Sequence, residues 1–225
     1  MKRLRRAAPV LGVVLLVAGQ VAAGAWPREE GTVFLSFGGN LALSDGAMRP
    51  VHRDPEIYME YGLTPRITLG FSAYTADAGA VRVASSFVRM PLRLPENGDP
   101  VSLSIWYGTR ISEELGEETI TRLGLHYGRP IEDGWIAVDA YQDWVSPTGV
   151  TEAKLDLTWG RRLWPRASLM LQLQTGEGRA GDRYAKAAPS LIWHAGDRLD
   201  LRVGLVHGLT GDEGTGLNAG IWLRF

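Results

Sequence analysis

The 225-residue chain contains no cysteine. That absence removes disulfides, thiolate metal sites, thiol nucleophiles and a lipid-bearing cysteine together. Histidine is scarce: there are four, and no two stand at a spacing that suggests a metal pair. After the first 25 residues no window holds the 18 or so consecutive apolar residues of a membrane helix. A chain of this kind that enters a bilayer must cross it as strands. Phosphate-binding signals are missing too, since the glycine-rich stretch 176–181 carries no lysine and reads as a loop.

Residues 1–25 read as an export leader. Lys2, Arg3, Arg5 and Arg6 form a basic head, residues 10–18 an apolar stretch, and Ala23-Gly24-Ala25 a small-residue cleavage site. The apolar stretch is shorter than the roughly 20 residues of a spanning anchor. Cleavage after Ala25 is therefore expected, leaving one domain over 26–225. The mature chain would hold 20 Lys plus Arg against 25 Asp plus Glu, a net charge of −5, which argues against nucleic acid as a partner.

What the chain does have is glycine (28 residues), tryptophan (eight) and a regular alternation of apolar and polar side chains. The last nine residues are the clearest case. Leu217, Ala219, Ile221, Leu223 and Phe225 alternate with Asn218, Gly220, Trp222 and Arg224, the pattern of a strand with one apolar and one mostly polar face. Upstream, Ile57, Met59, Tyr61 and Leu63 lead through Pro65 into Ile67, Leu69 and Phe71; Ala153, Leu155, Leu157 and Trp159 lead through 161–166 into Leu169, Leu171 and Leu173. Twelve such strands can be counted. Gly38 and Gly39 suggest a bend or a bulge in the first, and Arg82 and Arg89 leave the register of 80–94 open. Short turns alternate with longer polar stretches at 44–55, 76–79, 112–118, 145–151, 176–181 and 210–216. Aromatics close the even-numbered strands at Tyr61, Tyr127, Trp159, Trp193 and Phe225, separated by 66, 32, 34 and 32 residues, as an interfacial girdle with one member missing near Leu94.

The fold these features predict is all-β: a closed, antiparallel, up-and-down transmembrane barrel of about twelve strands, with ten or fourteen as the neighbouring even numbers. The alternative is a soluble barrel with the same aromatics in its core. The terminal strand resembles that of Gram-negative outer-membrane barrels, where a final Phe is recognised by the barrel assembly machinery. That resemblance implies an assembly signal at Ile221, Leu223 and Phe225, an address in the cell outer membrane and outer-membrane lipid as partner. The stretch Tyr61-Gly62-Leu63-Thr64-Pro65-Arg66-Ile67-Thr68-Leu69-Gly70 and the ending from Trp193-His194-Ala195-Gly196-Asp197-Arg198 to Phe225 resemble the outer-membrane transporters of the phenol-degradation meta-pathway group. The likeness implies transport and carries over no catalytic residue.

Glu60, Arg110, Arg122, His126, Asp139, Lys154, Asp156, Gln172, Gln174 and Arg202 are the candidate lumen-lining residues. They suit either a charged constriction for a small solute or a salt-bridged plug. The acidic run Glu113, Glu114, Glu117 and Glu118 reads as a solvated loop rather than a cation site. None of His52, His126, His194 and His207 is followed two residues on by serine, the arrangement of lipid-deacylating barrels, so no catalytic residue is assigned and no cofactor is expected. Three functions follow: a narrow channel for small solutes, a closed structural barrel, and a lipid-modifying enzyme.

Overall fold

The computed structural model describes residues 24–43, 50–76, 79–211 and 214–225. Most of the expected leader lies outside them. Twelve strands follow in order: β1 (Val33–Leu43), β2 (Pro50–Thr64), β3 (Ile67–Ala76), β4 (Val81–Arg93), β5 (Val101–Ser112), β6 (Gly116–Ile131), β7 (Gly134–Ser146), β8 (Val150–Trp164), β9 (Ala167–Glu177), β10 (Arg183–His194), β11 (Leu199–Thr210) and β12 (Thr215–Arg224). Each pairs antiparallel with the next, and β12 returns to β1 from Phe34 opposite Arg224 to Leu43 opposite Thr215. The sheet therefore closes with no free edge, the condition a sheet must meet to lie in hydrocarbon.

Alternation sets the two faces. Leu155, Leu157, Leu171, Leu201 and Ile221 all point outward, each between 37 % and 43 % exposed. Across the ladder Leu157 stands opposite Leu173 and Leu201 opposite Ile221, so the outside is a continuous apolar surface. A soluble barrel would have turned these side chains inward.

Both ends of the chain lie at one rim, where the Val33 N–H donates to the Phe225 carbonyl and the Phe225 N–H to that of Val33, both at 3.0 Å. Connections 65–66, 94–100, 132–133, 165–166 and 195–198 share this terminal end, and 113–115, 147–149 and 178–182 lie at the opposite, loop end, together with the ends of β1, β3 and β11. Tyr61, Tyr127, Trp159, Trp193 and Phe225 face outward near the terminal end, and the Tyr127 hydroxyl donates to Asp99 at 2.7 Å.

Several expectations are corrected. The strands run further than composition suggests, because pairing needs only backbone and continues beyond the apolar band: β8 extends to Trp164 through the expected turn 161–166, and β2 begins at Pro50. The connections at the loop end are consequently three to six residues long, while the seven-residue 94–100 is the longest and sits at the terminal end. Gly38 and Gly39 keep a continuous register, and the irregularity falls at Ala42/Leu43. Arg82 and Arg89 lie on opposite faces of β4 without a bulge between them. Glu117 and Glu118 belong to β6, with Glu118 turned inward and buried, so the acidic run is not one loop.

Candidate functional site: the lumen

All ten residues proposed to line the lumen occupy inward positions of their strands, but their environments differ along the axis. Toward the loop end Lys154, Gln172 and Gln174 are half-buried, whereas toward the terminal end Glu60, His126 and Asp139 are buried and Arg202, near the start of β11 and opposite Ile192, is half-buried. The lumen is a polar vestibule above a filled base.

The base has two halves made of different chemistry. One is apolar: Phe34 (β1), Met170 (β9), Ile192 (β10) and Trp222 (β12) form a buried cluster with Tyr58 and Trp135 packed against it. Residues from β1, β7 and β9 meet in it, so side chains bridge the barrel's width there. Aromatics continue along the wall, with Tyr58 stacked on Phe87 at 5.8 Å and Phe87 on Trp106 at 3.9 Å between ring centroids. This aromatic wall interrupts the mostly polar inner face.

The other half is polar and is occupied by the segment before β1. The Ser102 hydroxyl donates to the Ala25 carbonyl at 2.8 Å, the Arg28 N–H donates to the Thr68 hydroxyl at 3.2 Å, and Arg89 donates to the Trp26 carbonyl at 3.3 Å. Two glycines make the space. A Cβ at Gly62 would lie 2.0 Å from the Glu29 carbonyl oxygen, and one at Gly128 would lie 2.4 Å from the Trp26 ring. At the centre, Glu60 is 1 % exposed and accepts from Arg28, from the Tyr58 hydroxyl and, at 2.6 Å, from Arg89. Burying one carboxylate between two guanidinium groups is tolerable because both of its oxygens meet donors.

Nearer the mouth the charges pair across strands. Arg122 holds Asp143 through two bonds of 2.6 and 2.7 Å, and Arg110 holds Glu152 in the same bidentate way. Arg179, in the 178–182 connection, reaches Glu118 on β6 at 2.5 Å, while Lys154 meets Asp156 along the same strand, β8, at 2.9 Å. Arg202 is the exception: its guanidinium lies 5.4 Å from the Trp222 ring centroid, with no carboxylate at ion-pair distance among the described residues.

Sequence reading missed two Ser-His-Asp arrays. Ser104 (β5) meets His126 Nε2 at 2.7 Å while Asp139 (β7) meets His126 Nδ1 at 2.7 Å. Ser168 (β9), His194 (β10) and Asp200 (β11) repeat the arrangement at 2.9 and 2.8 Å, with Asp200 also accepting from Arg224. The serines come from neighbouring strands, so a search two residues along the chain does not find them. The signal was available in the hairpin register: closing β5 on β6 through 113–115 sets Ser102 opposite His126 and Ser104 on the diagonal.

These arrays lack the rest of a hydrolase. Ser104 is 1 % exposed and already accepts the Trp106 Nε1–H at 2.8 Å. Its strand is paired on both sides, so its N–H groups are engaged in the ladders rather than offered to an oxyanion. They fasten adjacent strands across the inner wall. Among the described residues no group of three or more His, Asp and Glu could hold a metal ion.

No family model matches the chain, and no curated protein matches it in sequence. Solved structures do. The KdgM porin superposes with a TM-score of 0.60 at 8 % identity, covering 85 % of this chain and 99 % of its own. The NanC porin gives 0.60 at 11 %, covering 85 % and 100 %. An outer membrane channel from Pseudomonas putida F1 gives 0.60 at 15 %, covering 92 % and 99 %. At these identities the likeness establishes the fold, and the chain has the closed twelve-strand architecture of outer-membrane β-barrels.

Proposed function

We propose that the chain is an outer-membrane channel for small solutes, with the loop end facing the cell exterior and the terminal end the periplasm. The observation that carries this reading is the division of the interior: a half-buried polar vestibule above a base whose polar half is filled by a segment of chain rather than by the wall itself. Wall residues cannot leave, but a tucked segment can. The resemblance to porins, and to the transporters of the phenol-degradation meta-pathway group, points the same way. Glu60, Arg110, Arg122, His126, Asp139, Lys154, Asp156, Gln172, Gln174 and Arg202 then line the solute's route. Most of their charge is internally neutralised, which leaves Arg202, beside the base, to bias the route toward anions. Reversal potentials across planar bilayers under a salt gradient test this: Arg202→Glu should move selectivity toward cations, and an unchanged potential would remove Arg202 from the route.

The second reading, a closed structural barrel, is favoured by the apolar cluster bridging the base. Single-channel recording separates the two, since a structural barrel stays silent whatever is done to residues 24–30. The lipid-modifying reading is less favoured, because both Ser-His-Asp arrays face inward and the N–H groups of the Ser104 strand are engaged in its ladders.

The membrane address has its own test. Leu157 is 39 % exposed, outward-facing and at the middle of β8. Leu157→Arg should destabilise the barrel in lipid vesicles by about 2–4 kcal/mol, measured by urea unfolding, because a guanidinium at the bilayer midplane loses its hydration. A change near zero would mean that water, not lipid, covers this face. Phe225, closing the β12–β1 seam and 58 % exposed, with Ile221 and Leu223, is the proposed contact for the barrel assembly machinery.

A further inference from the structure

We propose that the leader is removed after Ala23 rather than after Ala25, so that the mature chain begins at Gly24, and that the α-ammonium group this creates docks inside the lumen beside His126 and Asp139. The proposal rests on the export reading and goes beyond it by choosing the cleaved bond and giving the new terminus a place.

Composition allows two cuts. Ala23-Gly24-Ala25 satisfies the small-residue requirement for one, and Val21-Ala22-Ala23 supplies alanine at the cut and a compact residue two before it for the other. The fold distinguishes them. Ala25 is 0 % exposed, and among the described residues its carbonyl is the one hydrogen-bond partner of the Ser102 hydroxyl, on a residue itself 0 % exposed. The missing side chain of Gly128 makes room for Ala25 as well as for Trp26: a Cβ there would lie 2.8 Å from the Ala25 Cβ. Gly24 is packed as closely, since a Cβ on it would stand 2.3 Å from His126 Nδ1. A cut after Ala25 would discard both residues, leave the Ser102 hydroxyl buried without its acceptor and place a charged group where the Ala25 peptide now fits.

The charge balance around Gly24 favours a cation. Asp139 stands directly opposite Asp156 in the β7–β8 ladder, and among the described residues Lys154 is the one lysine or arginine in ion-pair contact with them. One oxygen of Asp156, Oδ1, is buried without a hydrogen-bond partner among the described residues. Arg122, the next cation along the wall, is committed to Asp143. Two carboxylates share one ammonium there, and an α-ammonium at Gly24 adds the second cation.

The test uses the full-length gene expressed with export intact and the protein recovered from outer-membrane fractions. N-terminal sequencing and intact mass should show a chain starting Gly-Ala-Trp. A chain starting at Trp26 would overturn the proposal while leaving export in place, and an uncut chain would overturn the export reading itself. Docking has a separate readout: an amine-acylating reagent applied near neutral pH should modify the N-terminal peptide at least tenfold more slowly in the folded barrel than after unfolding. Equal rates would show a terminus free in solvent and remove the docking, whatever the cut.

Discussion

Glu60→Gln is expected to destabilise the barrel by about 3–5 kcal/mol, the range seen when one partner of a buried ion pair is removed. The substitution keeps shape and takes away charge. Glu60 is shared by Arg28 and Arg89 and accepts from Tyr58, and all of this is shielded from water. With glutamine in its place, two guanidinium groups remain buried without a counter-charge, one of them on the segment that fills the polar half of the base. Both the wall and the tucked segment should therefore loosen. Urea titration of the protein refolded in lipid vesicles reads the first effect, and faster proteolysis around Trp26 to Glu30 reads the second. Adding Arg89→Met should recover part of the loss, because it removes one of the stranded charges and leaves a side chain of similar length. A midpoint within experimental error of the unsubstituted protein would mean that the network is hydrated and holds little together.

Removing the tucked segment should raise conductance several-fold. A chain beginning at Gly31 retains the Gly31 N–H to Gly62 carbonyl bond of 2.8 Å and every strand of the barrel. It loses Ala25, Trp26 and Arg28, whose departure uncovers Ser102, Thr68 and the Glu60–Arg89 pair. That pair is balanced one to one, so the vacated half is a polar, net-neutral path rather than a patch of bare charge. The apolar cluster of Phe34, Met170, Ile192 and Trp222 stays where it is and keeps the opening narrow. Planar-bilayer recordings of chains starting at Gly24 and at Gly31, refolded identically, make the comparison. Equal conductance would place the constriction elsewhere, and silence in both would favour the structural barrel.

The parts legible in the sequence were those imposed one residue at a time. Each outward side chain must be apolar because its surroundings are, so Leu155, Leu171, Leu201 and Ile221 announced their face through parity alone, and the same parity placed Trp222 on the opposite face from Ile221. Strand ends were harder to read, since a hairpin such as Arg161–Trp164 with 167–169 can continue past the apolar band on backbone pairing without any change in composition. Cross-strand partnerships were hidden for a geometric reason: Ser104, His126 and Asp139 meet only once two hairpins are registered. The tucked segment gave no signal, because residues 24–30 have no periodicity and their place is defined by space left at Gly62 and Gly128.

The account stands on an apolar outside in lipid and a wet polar inside. Because the chain has no cysteine, single replacements at Gln174, which faces inward, and at Leu171 and Leu173, which face outward on the same strand, can each be probed with a membrane-impermeant thiol reagent added outside intact cells. Gln174→Cys should react readily while Leu171→Cys and Leu173→Cys remain protected. Modification of the two leucine replacements at the rate of Gln174→Cys, or protection of Gln174→Cys alone, would contradict it.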